Sequence, residues 1–512
     1  MSAQWKPIPV IDLFAGPGGL GEGFSTILDE NGKPVFKVVM SVEMERTAHA
    51  TLRLRSFARS IMKNGLLPDE YIAYISSPTK ENMQTLRDVY PDEWKAADIE
   101  AVQGKLVVDD DTYVTMAQQR LEKHYAEYDV KDFVLIGGPP CQAYSLAGRA
   151  RRTHQKDDLE RDEKQTLYKC YLRFIEKLRP AAFAMENVKG LLSARNYGQG
   201  VFGHIREDMQ DKKYTLHSLV TNEPGNPHDY IVHADEYGIP QARHRVILLG
   251  TRNDIEHPVP KILRKREKVT VGQVLGNMPA LRSGFSARAH ADMDWADYIS
   301  TAAERLLRTP EGSVLSAELG DIVAARRLPQ SQSGAHVREN EPGNPLFAWY
   351  RCHLGKNRIL PEDTSRNHMS SDLDRYLFCA AFAKHNGYCA KLYNFPKALL
   401  PNHRNVQGVL EGKEIVFPDR FHVQLANHPS TTVTSHIAKD GHYFIHPDPR
   451  QCRSLTVREA ARLQTFPDDY FFEGNRTDQY RQVGNAVPPL LAQQIAVIIA
   501  DWMDRPARAF LR

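Results

Sequence analysis

Cysteine is scarce in this chain: six in 512 residues, at Cys141, Cys170, Cys352, Cys379, Cys389 and Cys452. They are too few for a disulfide scaffold, and none stands in C-x-x-C spacing, so no metal site is expected and free thiols in a reducing compartment fit best. Long apolar runs are missing, and no membrane span is expected. Residues 1–10 lack a basic-then-apolar leader pattern, which points to a cytoplasmic location. Neither sign of charge dominates: 66 Lys and Arg face 63 Asp and Glu, a formal net of +3. That balance permits a nucleic-acid partner without demanding one. Internal repeats and low-complexity tracts are absent too. What remains, 42% hydrophobic and 25% charged residues, is an ordinary globular composition. The length exceeds what one core serves, so two or more units are expected.

The first half alternates strand and helix signals. Strands are expected at Val10–Phe14, Val35–Val42, Phe133–Ile136, Ala181–Met185 and Val246–Gly250. Helices are expected from the glycine turn through Leu28, at Ala48–Ala58, and at Leu167–Leu178, which Pro180 ends. Such alternation implies an α/β fold, a largely parallel sheet covered by helices. The long connection between Thr51 and Lys131 reads as inserted helices. The pattern fades after Arg252, and residues from roughly 260 to 430 read as a loop-rich second unit. Helical signals return at Ser454–Gln464 and Pro489–Ile499. The basic run Lys261–Lys268 either tracks phosphates or is simply solvated.

Chemistry-bearing residues gather where strands end, which in open α/β sheets is where ligands sit. Val134-Leu135-Ile136 runs into Gly137-Gly138-Pro139-Pro140-Cys141, so stiff residues hold a thiol at a strand's end, a candidate nucleophile. Gly16, Gly18 and Gly21 follow the first strand in G-x-G-x-x-G spacing and open a helix, and Glu43 ends the second strand, where a carboxylate can accept ribose hydroxyls. A nicotinamide dinucleotide and S-adenosylmethionine would look alike at this level. Glu186 closes another apolar strand and can hold or share a proton. Gln241-Ala242-Arg243-His244-Arg245 precedes the last strand, and extended alternation would aim Gln241, Arg243 and Arg245 to one side.

Taken in order, these segments resemble the DNA (cytosine-5)-methyltransferase family. Asp12–Gly21 resembles its first cofactor motif, Glu43 its ribose-binding acid, Gly138–Ser145 its nucleophile motif, and Glu186-Asn187-Val188 its base-contacting motif. Gln241–Arg245 resembles its Gln-x-Arg-x-Arg motif, Arg453–Pro467 the segment that supports the target-recognition region, and Gln482–Pro489 its last motif. The resemblance implies a Rossmann-like S-adenosylmethionine-dependent sheet, residues 1–260 and 436–512, with a smaller target-recognition domain at 261–435 that Thr431–His436 would seat. It implies Cys141 as nucleophile on C6 of a flipped-out cytosine, Glu186 at N3, Arg243 positioning the base and Arg245 supporting. S-adenosylmethionine would lie against Phe14, Gly16, Gly18, Gly19, Glu43, Pro139, Asn485 and Val487. The family's adenine-contacting aspartate could be Asp98, Asp109, Asp110 or Asp111. Arg149, Arg151, Arg152 and Lys156 could close over the base. Double-stranded DNA is the implied partner, with a cognate restriction endonuclease acting separately in a bacterial restriction-modification setting, no membrane, and a monomeric chain. A nicotinamide-dependent oxidoreductase and an RNA cytosine-5 methyltransferase are the competing readings.

Overall fold

A computed structural model describes the chain apart from residues 1–4, 141–162, 194, 197–198, 287–293, 325–327, 335, 403, 414, 416, 506 and 510–512. At its centre is an eight-stranded sheet: β1 (Ile8–Leu13), β2 (Phe36–Glu43), β3 (Ala101–Gln103), β4 (Val134–Gly137), β5 (Ala182–Val188), β6 (Tyr214–His217), β7 (Ile231–His233) and β8 (His244–Arg252). Their spatial order is β3-β2-β1-β4-β5-β8-β6, with β7 also on β8. The first five strands are parallel, and β8 runs antiparallel to β5, β6 and β7. The sheet is therefore mixed rather than uniformly parallel. Because β1 pairs with β2 on one side and β4 on the other, the winding reverses between β1 and β4. A crevice for ligands opens at the carboxyl ends of such neighbours.

The central strands β1, β4, β5 and β8 are buried on both faces over most of their length, as their apolar content demands. Ile8 and Val10 join one apolar cluster with the C-terminal helix α-residues Leu490–Trp502, and Ile11 and Leu13 join another under Tyr171 and Phe174. The span between Thr51 and Lys131 carries inserted helices, as its length implies: Asp69–Ser76, Lys80–Val89, Pro91–Glu100 and Thr112–Tyr128.

The middle of the chain departs from the loop-rich expectation. Helices Trp295–Leu307, Ser316–Val323 and Ser370–Asn386 build a separate apolar core that extends to Ile445 and Cys452. Trp295, Ile299, Ala302, Ala303 and Leu306 are buried at helical spacing. Long irregular stretches on either side mask that period in the sequence.

The basic run is held by acids of the sheet domain: Lys261 to Asp501 at 3.0 Å, Lys265 to Glu236 at 2.7 Å and Lys268 to Asp235 at 2.8 Å. It is a strap along the body. These lysines are mostly exposed, so solvent and salt screen the pairs and each adds little to stability. A second departure lies at Arg476–Trp502, long and apolar enough to cross a membrane by composition, with 89% of its apolar window buried inside the fold. The stretch is two helices, Arg476–Asn485 and Pro489–Trp502, separated at Ala486–Pro488.

Buried ion pairs hold residues 453–468 to one another and to residues 341–362. Arg453 bonds both oxygens of Glu459, at 2.6 and 2.7 Å; Arg458 reaches Glu362 at 2.7 Å; Arg462 joins Glu341 at 2.9 Å and Asp468 at 2.8 Å. All three arginines are fully buried. Burial works against ionised Glu459, yet the Arg453 charge and hydrogen bonds win and pull its carboxyl down to about 2. A depressed carboxyl contributes stability that is present above its ordinary value near 4.5 and is lost as pH falls toward 2. Glu459→Gln should cost about 3–5 kcal/mol by leaving Arg453 buried without its counter-charge. It should also flatten the fall of stability over that acid window, as urea titrations from pH 7 to pH 3 would measure.

Candidate active site

The glycine turn follows β1 directly. Phe14 and Gly16 adopt left-handed backbone, φ 56° and 57°, and Gly18 has φ 98°. This folds the chain back so that Gly18 N–H reaches the Ala15 carbonyl at 2.9 Å. Glu43, at the end of β2, accepts from Gly16 N–H at 2.8 Å and from Glu45 N–H at 2.7 Å. Burial pushes its carboxyl upward, and those backbone donors work against the push.

The glycines divide their labour. A Cβ on Gly16 would meet nothing within 4 Å, so that side of the turn is open. A Cβ on Gly18 would fall 2.9 Å from Leu52 and from the Tyr470 hydroxyl, and one on Gly19 would fall 2.2 Å from the Val487 carbonyl oxygen. The bare faces of Gly18 and Gly19 thus make room for protein, where the spacing alone had suggested a ligand. Val487 is buried and Asn485 is exposed at its helix end. The C-terminal motif therefore lies against the turn through backbone contact. Tyr470, which sequence reasoning missed, donates its hydroxyl to the Pro17 carbonyl and braces the turn from beneath.

Across the switch point, β4 ends at Gly137 and passes into Gly138-Pro139-Pro140. Cys141 lies outside the described residues, as do Arg149, Arg151, Arg152 and Lys156. The approach to Cys141 is clear nonetheless. A Cβ on Gly138 would lie 3.4 Å from Glu186 Oε2, and Asn187 Nδ2 donates to the Pro139 carbonyl at 3.4 Å. Asn187 is a holding residue that sequence reasoning named in its motif without giving it a role. Glu186 sits within β5, which continues to Val188, and its Oε1 is 2.9 Å from Arg245 Nε. Both side chains keep about 15% exposure (15% and 16%), enough to meet a ligand at the rim.

Arg243 and Arg245 are placed differently. Arg243 is buried, and its Nη1 donates to the carbonyls of Val433 at 3.1 Å and Gly484 at 3.3 Å. Burial and the like charge of Arg245 disfavour its charged form. The physical cause is a kink: Arg243 N–H bonds back to the Gln241 carbonyl at 2.8 Å, which interrupts the strand and ends the alternation. Gln241 and Arg243 therefore point into the protein, and Arg245 pairs with Glu186. Gln241 continues the inward set. It receives Val433 N–H at 2.8 Å and donates to Gln464, which in turn donates to the Val483 and Ala486 carbonyls at 2.9 and 2.7 Å.

Three of the four aspartates considered for the adenine contact already have protein partners. Asp98 pairs with Arg53 at 3.1 Å, Asp110 accepts from Thr112 N–H at 2.9 Å, and Asp111 pairs with Arg173 at 2.5 Å. Asp109 is exposed. Thr431 is tied into the rim through the short parallel pair Gln241–Ala242 with Ser430–Thr431.

A mixed α/β sheet with its polar groups collected at one switch point is the architecture of a Rossmann-like transferase. A sequence model of the C-5 cytosine-specific DNA methylases matches residues 111–500. The type II methyltransferase M.Bpa9945I of Bacillus paralicheniformis is 33% identical over 97% of this chain and 99% of its own length. The type II methyltransferase M.AgeI of Thalassovita gelatinovora is 28% identical over 96% and 98%. A crystal structure of a prophage-encoded Escherichia coli protein, assigned as a DNA modification methyltransferase, superposes with a TM-score of 0.53 at 19% identity, covering 97% of this chain and 100% of that one; it supports the fold. The chain belongs to the C-5 cytosine-specific DNA methylase family and is a DNA cytosine-5 methyltransferase. Neither competing reading is favoured by these matches.

The different placements of the two arginines are open to measurement. Arg245→Met should leave the melting temperature near that of the parent and reduce methyl transfer by two orders of magnitude. Arg243→Met strands two buried carbonyls at about 1–3 kcal/mol each. It should therefore lower the melting temperature by several degrees. Calorimetry beside a radiolabelled methyl-transfer assay separates the two.

Proposed function

We propose that the chain transfers a methyl group from S-adenosylmethionine to C5 of a cytosine flipped out of a specific duplex DNA sequence. One observation carries this reading: the Glu186–Arg245 pair stands beside Gly138, on the turn that leads into Cys141. Cytosine C5 is a poor nucleophile. Addition of the Cys141 thiolate to C6 makes the ring an enamine, with electron density at C5 and charge building toward N3. Glu186 is placed to hold or share a proton at N3, and Arg245 holds the carboxylate by ion pairing. Asn187 steadies the turn through Pro139. The duplex hides the ring, so the base leaves the stack at a cost of a few kcal/mol, roughly.

The cofactor crevice fits the proposed donor. Gly16 opens onto free space, and Glu43 is a buried carboxylate at a strand end, with lone pairs left for ribose hydroxyls. Phe14 offers a ring beside it, and the Gly18–Gly19 backbone and Val487 close the far wall. Bound there, S-adenosylmethionine supplies an electrophilic methyl group. Residues 1–260 and 436–512 then form the catalytic body and 261–435 the target-recognition domain. The relatives' type II assignment supports a bacterial restriction-modification setting, in which we place the chain as a cytoplasmic monomer with a separate endonuclease.

Cys141→Ser should abolish 5-methylcytosine formation on DNA from a methylation-free host, while calorimetric titration still detects S-adenosylmethionine binding. Turnover at the parent rate would remove Cys141 from the mechanism.

A further inference from the structure

The second unit carries an exposed aromatic patch that the chemistry at the sheet rim does not use. Phe417 is 72% exposed, Tyr393 45% and Tyr443 39%. Hydrogen bonds and one ring contact draw them together. Ile415 N–H donates to the Tyr393 hydroxyl at 2.8 Å, and Leu392 N–H to the Pro418 carbonyl at 2.8 Å. The Tyr443 hydroxyl donates to Asp419 at 3.2 Å, and its ring stacks on His422 with centroids 4.7 Å apart. Arg420, next to Asp419 in the chain, is exposed and pairs with no acid among the described residues. We propose that Phe417 and Arg420 read base edges in the major groove of duplex DNA and so select the sequence in which the cytosine is methylated. The inference rests on the proposed assignment of 261–435 to target recognition and names residues within it.

Three observations support it. The first is the backbone at Phe417. Its φ is 64°, a left-handed conformation that a bulky residue rarely adopts, and Pro418 follows it, although the residue before a proline is ordinarily extended. The fold thus holds a large apolar ring out in water at a cost in both conformation and solvation. Strain of this kind collects at functional positions, and exposed apolar patches mark contact surfaces. The second is chemistry. A phenylalanine ring suits the thymine methyl group, and a free guanidinium suits guanine O6 and N7, all displayed in the major groove. Tyr443 already engages the Asp419 carboxylate, so Arg420 stays available to an external acceptor.

The third is the link to the catalytic rim. Thr432 Oγ1 donates to the Ala242 carbonyl at 2.8 Å, and Arg243 holds the Val433 carbonyl. Beyond that point Arg366 donates to the carbonyls of Ile437 and Lys439, at 2.6 and 3.3 Å. Gly441, with φ 80°, packs where a Cβ would fall 2.6 Å from that of Ser454. The chain from the rim to Tyr443 is therefore pinned along its length. A reading surface tied rigidly to the rim meets a fixed base pair whenever the cytosine is in place.

The test gives the full-length protein S-adenosylmethionine and a pool of duplexes in which the bases around one cytosine are randomised, read by bisulfite sequencing. The wild type should methylate one defined context. Arg420→Ala and Arg420→Lys should each lose the preference for guanine at one base pair by about 10-fold, the lysine because it keeps the charge without the two-pronged bond. Phe417→Ala should lose a preference for thymine at a nearby pair. Both side chains are exposed, so circular dichroism should match the parent. A context unchanged in the Arg420 and Phe417 variants would overturn the proposal. So would a uniform fall in rate over all sequences, which a phosphate contact gives. Wild-type self-association in sedimentation velocity that both alanine variants abolish, with context unchanged, would assign the patch to a second copy of the chain and overturn it too. A wild type that methylates no member of the pool would count against the proposed function and this inference together.

Discussion

The site depends on a backbone-to-backbone contact between the two ends of the chain. Gly19 and the Val487 carbonyl approach so closely that any Cβ would fall 2.2 Å from the oxygen. Gly484 repeats the device, with its Cβ position 2.3 Å from the Thr434 carbonyl carbon. These contacts place the last motif, the loop that returns from the second unit, and the first turn around one crevice. Hydrogen bonds then fix the arrangement. Gln241, Arg243 and Gln464 link residues near 241, 433, 464 and 484 through donors and acceptors buried away from water. Each is costly to break, because the partners left behind cannot turn to solvent.

The buried ion pairs around Arg453, Arg458 and Arg462 extend the same logic to the packing of residues 341–362 against 453–468. A buried pair adds little stability over apolar packing, and losing one partner is severe. Arg458 and Arg462 are one helical turn apart and reach Glu362 and Glu341, so the 341–362 segment can dock on their helix in only one register. Mutual orientation matters here, since a base delivered about 1 Å out of place meets the carboxylate badly.

Much of the site was legible because its signals are local. Apolar runs ended by glycine, proline or an acid mark strand termini, and topology brings those termini to one edge; Gly16, Glu43, Gly138 and Glu186 were found this way. Arg243 was misread because a single inward hydrogen bond to Gln241 breaks the alternation, which no residue pattern announces. The helices of the second unit escaped notice because irregular stretches flank them and alanines dilute their apolar stripe. Tyr470 and Asp469 act across more than 100 residues of sequence on Pro17 and His353, and contacts of that range leave no periodic trace.

The most direct measurement is single-turnover methyl transfer by Glu186→Gln, using DNA from a methylation-free host. A carboxylate that manages the proton at N3 is worth about 10²–10⁴ in rate. The variant should therefore bind S-adenosylmethionine and DNA as the parent does and transfer at least 100-fold more slowly, roughly. Transfer at the parent rate with both ligands bound would contradict the role of the Glu186–Arg245 pair.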